Sequence, residues 1–207
     1  MIRLRSGLRA ALMLWAAASL GACSSAPIHL YTLAGAAPST ASGNPSFAML
    51  LEPVSVPRSA DIPQLLITGS DGRSHLTEDH RWRAPLPDEI GTALAQQLRE
   101  QFGISDLSRV SAPEGLKLFR VRVDVQRFES LADGQVLVTA AWSLRAADAK
   151  SAALTCVSQL QQPAGADYAA LVRAYRGAVA GLATQIGRGL EGLARTPAAS
   201  GCPSAGA

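Results

Sequence analysis

The chain has 207 residues, with 19 Lys and Arg against 16 Asp and Glu, and 48% of its residues are hydrophobic. Arg3, Arg5 and Arg9 carry the whole basic excess, so residues 23–207 are formally neutral and give no electrostatic footprint for nucleic acid or for a polybasic lipid surface. That length suits one domain with a proper core and is too short to expect two.

Met1–Arg9 is a short cationic stretch, and Ala10–Leu20 is an uncharged apolar run of the kind an export channel accepts. The run is shorter than the about 20 residues that a bilayer span takes. It ends in Leu20-Gly21-Ala22-Cys23, which resembles a lipobox: small residues admit the processing peptidase, and a thiol is the nucleophile that takes the diacylglycerol. Residues 1–22 are therefore expected to leave as a signal peptide, with Cys23 as the acylated first residue. Two acyl chains on the thioether and one on the new amino terminus exceed the two signals that stable anchoring needs. Ser24, in place of an aspartate, resembles the Gram-negative pattern that sorts to the outer membrane. Residues 23–27 form a tether: Ser24–Pro27 span roughly 15 Å at about 3.3–3.6 Å per residue, which keeps the domain, residues 28–196, close to its membrane.

Ile28–Leu33 is the first strand-like segment, and the uncharged Gly-, Pro- and Ser-rich stretch Ala34–Ser46 reads as a surface loop. Phe47–Val56 looks like a buried strand interrupted by Pro53, and Gln64–Thr68 like an edge strand. The polar stretch Gly69–Arg83 reads as a hairpin or loop around the turn signal Ser70-Asp71-Gly72. Pro87 opens a helical pattern with Ile90, Leu94, Leu98 and Phe102 on one face and Gly103 placed to cap it.

Leu118–Phe128 alternates, with Phe119, Val121, Val123 and Val125 apolar between polar neighbours, the period of a sheet with one wet face. Val136, Val138, Ala140, Trp142 and Leu144 repeat it after an Asp133-Gly134 turn, and Ala153–Gln161 reads as a third antiparallel strand. Tyr168, Leu171, Val172, Tyr175, Val179, Leu182, Ile186, Leu190 and Leu193 then mark the stripe of a long amphipathic helix. The sum is a single α+β domain, an antiparallel sheet with two amphipathic helices packed on one face, followed by a tail at 197–207.

Few residues read as chemistry. Cys156 and Cys202, left over once Cys23 is acylated, form an even pair in an oxidising compartment and suggest one disulfide, against the alternative of two free thiols. Gly187-Arg188-Gly189-Leu190-Glu191-Gly192 fits G-x-G-x-x-G but has no strand before it and no helix opening after it, so the glycines are read as fraying of a helix end. His29, His75 and His80 have no nucleophile in an elbow motif and are read as surface residues. The expectation is no catalytic residue, no metal and no cofactor. Opposite its apolar stripe the last helix carries Ala170, Ala174, Gly177, Gly181 and Thr184, where a solvated face would show Lys and Glu. This smooth face suggests contact between copies of the chain through Gly177 and Gly181; the other reading is that alanines are simply good helix formers.

Tyr31-Thr32-Leu33, Val54-Ser55-Val56-Pro57, Asp61-Ile62-Pro63-Gln64-Leu65 and His80-Arg81-Trp82-Arg83-Ala84-Pro85-Leu86, in this order and after a lipobox, resemble the PqiC-like family of ABC-type transport auxiliary lipoproteins. Val125–Glu129 before the Gly134 turn and Trp142 in the next strand extend the likeness through most of residues 23–207. The resemblance implies a non-enzymatic outer-membrane lipoprotein that can assemble into rings. Its partners would be an MCE-domain periplasmic protein and the associated inner-membrane transporter, which carry lipids across the periplasm in support of envelope integrity. Asp61, Pro63, Gln64, Arg81 and Trp82 are the candidate partner-binding residues, because prolines stiffen exposed loops and an aromatic flanked by arginines suits a binding hot spot. Trp82 packed under the first helix is the other reading. A competing function is activation or scaffolding of a cell-wall synthase, which the short tether disfavours because reaching through the wall takes a long linker. The Cys156/Cys202 pair departs from the family pattern and leaves the arrangement of the C-terminus open.

Overall fold

The computed structural model describes residues 27–35, 46–69, 71–149, 154–196 and 201–203. Residues 1–22, expected to be a signal peptide, lie outside the described residues, as do Cys23 and most of the stretch Ala34–Ser46. The elements in chain order are β1 (His29–Tyr31), β2 (Phe47–Leu51), β3 (Gln64–Thr68), β4 (Ser74–Trp82), α1 (Leu86–Phe102), β5 (Lys117–Ser130), β6 (Gln135–Ala146), β7 (Leu154–Pro163) and α2 (Tyr168–Arg195).

The α+β class and the two helices stand as expected, but the strands divide into two mixed sheets rather than one antiparallel sheet. One sheet has the order β2-β5-β6-β7, the other β1-β4-β3. The alternating strands β5, β6 and β7 do pair antiparallel. Their partners at two edges do not: β2 runs parallel to β5 and β1 parallel to β4. A parallel pairing joins strands far apart in the chain and leaves no local turn signal, so the sequence pattern could not show it. The polar stretch read as a hairpin or loop makes a hairpin, closed by the Gly69 N–H on the Arg73 carbonyl, whose second arm is the nine-residue strand β4, hydrogen bonded on both edges despite its polarity.

Alternation places Phe119, Val121, Val123 and Val125 of β5 inside, with Val136, Val138, Ala140, Trp142 and Leu144 of β6. A bulge between Val125 and Arg127 then reverses the parity, which turns Phe128 and Ser130 inward instead. That reversal lets the end of β5 meet the smaller sheet. The Ser130 hydroxyl accepts from the Thr68 N–H (2.9 Å) and donates to the Leu66 carbonyl (3.1 Å), so a side chain stitches β3 to the larger sheet.

α1 begins at Pro85–Pro87, where a missing N–H costs nothing, and carries Asp88 and Glu89 in its first turn, favourable at the positive end of the helix dipole. Gly103 ends it at φ 68°, a conformation that only glycine adopts without penalty. α2 starts at Asp167, whose carboxylate caps the Ala170 N–H. Both helices cover the inner face, with Ile90, Leu94, Leu98, Leu182, Ile186 and Leu190 fully buried. Inside, the Trp142 indole N–H donates to Ser158 (2.7 Å) and the Ser158 hydroxyl to Gln185 (2.5 Å), a satisfied polar chain across β6, β7 and α2.

The glycines of α2 have a different cause from the expected one. The helix runs on to Arg195, so Gly187, Gly189 and Gly192 lie within it and mark no frayed end. A Cβ on Gly187 would run into the Phe102 ring, and one on Gly189 would lie 2.9 Å from Leu144. Gly177 and Gly181 likewise face Gln162 and Leu160 of β7 at 3.5 and 3.1 Å, so the small-residue face packs on this chain's own sheet and is not available as a contact between copies. At Thr184 the same face hydrogen bonds to Gln101 of α1 (2.6 Å).

The segment after β1 is clamped between the helices. The buried Glu89 carboxylate accepts from the Leu33 N–H (2.7 Å) and the Thr32 hydroxyl (2.6 Å), with the Arg83 guanidinium 3.9 Å away. Arg176 of α2 donates twice to the Thr32 carbonyl (3.0 and 2.7 Å), and Gln96 accepts from the Gly35 N–H (3.0 Å). At the other end Cys156 of β7 is joined to Cys202 by a disulfide, with Cα atoms 5.7 Å apart.

Glu89→Ala strands the Leu33 N–H and should lower unfolding free energy by about 1–3 kcal/mol in urea titration, with Glu89→Gln, which keeps an acceptor, losing less. At Gly192 a Cβ would meet nothing within 4 Å, so Gly192→Ala should stabilise by about 1 kcal/mol. Gly187→Ala should destabilise instead, and a Phe102→Ala background should remove most of that penalty.

Candidate functional site

Pro57–Pro63 and Arg81–Leu86, separate in sequence, meet at one corner of the smaller sheet. The Pro63 carbonyl accepts from the Trp82 N–H (2.7 Å), Gln64 pairs with Arg81 across β3 and β4, and the Tyr31 carbonyl accepts from the Arg83 N–H (2.8 Å). The turn Pro57–Asp61 is closed by the Ala60 and Asp61 N–H groups on the Pro57 carbonyl, which leaves Arg58, Ser59, Asp61 and Pro63 exposed. Asp61, Pro63, Gln64 and Arg81 are therefore brought together on or beside one surface.

Trp82 is not part of that surface. It is 6% exposed and packs beneath the corner, edge-on to Phe128 (6.0 Å between ring centroids) and to Tyr175 (6.1 Å). Phe128 and Tyr175 stack in parallel at 4.1 Å. The reading of Trp82 as an exposed anchor is thus corrected to that of a core residue: parallel pairing with β1 at Tyr31 and the covering α2 enclose the indole. Burial, with the Glu129 charge adding to it, pushes the Tyr175 phenol far above its ordinary range.

Beside the corner lies a second group that the sequence did not reveal. His29 and His80 are register partners in β1 and β4 and stack at 4.9 Å; Tyr168, in the first turn of α2, stacks on His80 at 3.7 Å. The Tyr31 hydroxyl is 2.9 Å from His80 Nδ1. Partial burial first, then the nearby charge of Asp167, raises the Tyr31 pKa. His80, expected at the surface, has only 14% of its side chain exposed. The parallel pairing that juxtaposes the two histidines is the feature that no local pattern announces. Among the described residues no group of three or more His, Cys, Asp or Glu is placed to hold a metal ion, and no helix is long and apolar enough to cross a membrane.

The outer face of the smaller sheet is unusual for the residues it leaves uncovered. Leu65 points into the core, so its neighbours Gln64 and Leu66 point outward, and their strand partners Arg81 and Leu76 share that side. Leu30, the register partner of Arg81, lies on it as well.

Trp82→Ala should cost about 3–5 kcal/mol of unfolding free energy, measured with urea, whereas Asp61→Ala at the exposed corner should stay within about 0.5 kcal/mol. The raised Tyr175 pKa means that folding holds the phenol neutral. Its contribution is therefore complete below the unfolded pKa of about 10 and is lost as pH climbs beyond it. Tyr175→Phe should flatten that alkaline loss in a stability–pH profile.

Two solved structures share the fold. One, a crystal structure of an uncharacterized protein, superposes with a TM-score of 0.64 at 20% identity, covering 80% of this chain and 99% of the other. The second, from Xanthomonas campestris and assigned to the DUF330 family, gives a TM-score of 0.56 at 17% identity over 76% of this chain and 92% of its own. No curated protein sequence matches the chain. The family model for the ABC-type transport auxiliary lipoprotein component matches residues 31–187, from the end of β1 into α2. With more than half of its length so matched, this chain belongs to the ABC-type transport auxiliary lipoprotein family.

Proposed function

We propose that this protein is a periplasmic adaptor, anchored to the outer membrane through acylated Cys23, for an ABC-type system whose MCE-domain protein passes lipids between the inner and outer membranes. In that role it supports envelope integrity. The observation that carries the reading is the family match, which takes in residues of both sheets and both helices rather than one motif. The geometry suits such a job: a rigid domain whose first strand follows the anchor by a few residues and whose exposed corner offers a stiff, charged contact surface.

The partner contact is the Pro57–Pro63 turn with Asp61 and Pro63 at its tip, bordered by Gln64 and Arg81. Proline at 57 and 63 and the closed turn between them lower the entropy that binding has to remove. Self-association belongs to the proposal too, on a surface other than the Gly177 and Gly181 face that β7 occupies. The chain itself carries out no reaction in this scheme.

Crosslinking intact envelopes and purifying the native lipoprotein tests the proposal by mass spectrometry of what comes with it. An MCE-domain protein with its permease and ATPase is the expected catch, and Asp61→Arg should reduce its recovery several-fold while thermal unfolding stays unchanged. Recovery of a cell-wall synthase, or of no transport component, would contradict the adaptor reading.

A further inference from the structure

Five large hydrophobic side chains are more than half exposed among the described residues: Ile28 (57%), Leu30 (62%), Leu76 (57%), Val110 (61%) and Val157 (66%). Single exposed apolar residues are ordinary, but a gathered group is not. Three of these five belong to the smaller sheet or enter it. Leu30 and Leu76 share its outer face, and Ile28, two residues before Leu30, has the same parity.

An irregularity in the pairing draws them together. β3 passes from Gln64 to Leu66 in two residues, while β4 takes five from Arg81 back to Leu76 to pair with the same positions. The surplus is taken up where the Thr77 hydroxyl bonds to the carbonyls of Leu65 (3.1 Å) and His80 (2.6 Å). Leu76 therefore lies only about 7 Å along the sheet from the Arg81–Leu30 pair, the rise of two strand residues. The half-buried Leu66 sits opposite Leu76 and extends the apolar surface.

What covers this face is indicated by the chain that precedes it. Cys23 lies five residues before Ile28, so the anchor's first atoms are at most roughly 15–18 Å from Ile28 at full extension. β1 cannot rotate away from its sheet to lengthen that leash, because Thr32 and Leu33 are held by Glu89 and Arg176. An apolar patch on the strand that the tether enters is thus confined to the neighbourhood of the bilayer surface.

We propose that the outer face of the β1-β4-β3 sheet, through Ile28, Leu30, Leu66 and Leu76, docks on the lipid bilayer that carries the acyl anchor. The protein then has a fixed orientation on its membrane, in which the exposed turn residues Arg58, Ser59 and Asp61 beside the docked sheet remain for the partner contact. The inference rests on the anchor at Cys23 that belongs to the proposed function.

The test uses the full acylated chain reconstituted into vesicles of phosphatidylethanolamine with a minor fraction of phosphatidylglycerol. Spin labels are placed one at a time through Leu30→Cys, Leu76→Cys and, as a control equally exposed on the larger sheet, Val157→Cys. Accessibility to oxygen, which partitions into lipid, is compared with accessibility to a water-soluble nickel complex. The expected result is an oxygen-to-nickel ratio several-fold higher at 30 and 76 than at 157. Ratios equal to the control at an acylated Cys23 would overturn the docking and leave the anchor intact. Labels shielded from both reagents would overturn it in favour of a protein contact, a second copy or a partner. Mass spectrometry showing Cys23 without lipid would remove the anchor reading, and the docking with it.

Discussion

Three aromatic rings, each from a different structural unit, hold this domain together. Trp82 comes from the smaller sheet, Phe128 from the larger one and Tyr175 from the middle of α2, and they meet within 4.1–6.1 Å of one another. Each ring buries a large apolar area, and stacked or edge-on pairs add about 0.5–1.5 kcal/mol beyond it. Beside them the Ser130 side chain ties the larger sheet to β3. The bulge in β5 is what brings Phe128 to this meeting point, since without the parity change its ring would face water. Removing one ring therefore loosens the joint between units rather than a local patch of core.

That joint ties the two sheets and α2 into one unit. The segment that leaves β1 is fastened to α1 by Glu89 and to α2 by Arg176. α2 crosses to the far sheet, where glycines allow it to approach Leu144 and Leu160 closely. At that sheet's edge strand the Cys156–Cys202 bridge fastens the chain beyond α2. The corner turn at Pro57–Pro63 is placed by the Pro63–Trp82 hydrogen bond directly above the aromatic joint. The strands, the helices and the corner turn are thus fixed relative to one another, which is the property the proposed adaptor role calls on.

The elements whose environment repeats with their own period were legible in the sequence. β5 and β6 have one wet and one dry face, so alternation revealed them, and the helices showed their three-and-four stripes. Legibility ended where a residue's role depends on a partner distant in the chain. β4 is polar because its strand identity comes from hydrogen bonds to β1 and β3, not from burial. Trp82 between two arginines looked like a surface anchor, yet the backbone alternates, and only the flanking side chains face outward. Gly187 and Gly189 resembled helix breakers because Phe102 and Leu144, the neighbours that require them, cannot be read from local spacing. The family likeness read partly from the two proline-rich segments was borne out by the family model over residues 31–187, and the fold joins those segments at one corner.

The central claim is that this chain serves lipid movement between two membranes while fixed to one of them. The most direct measurement follows the exchange of isotopically labelled phospholipid between separated inner and outer membranes in cells that lack the protein. Slowed exchange is expected, restored by the full chain and not by a Cys23→Ala form that folds but carries no anchor. Exchange at the normal rate without the protein, or full restoration by the unanchored form, would contradict that claim.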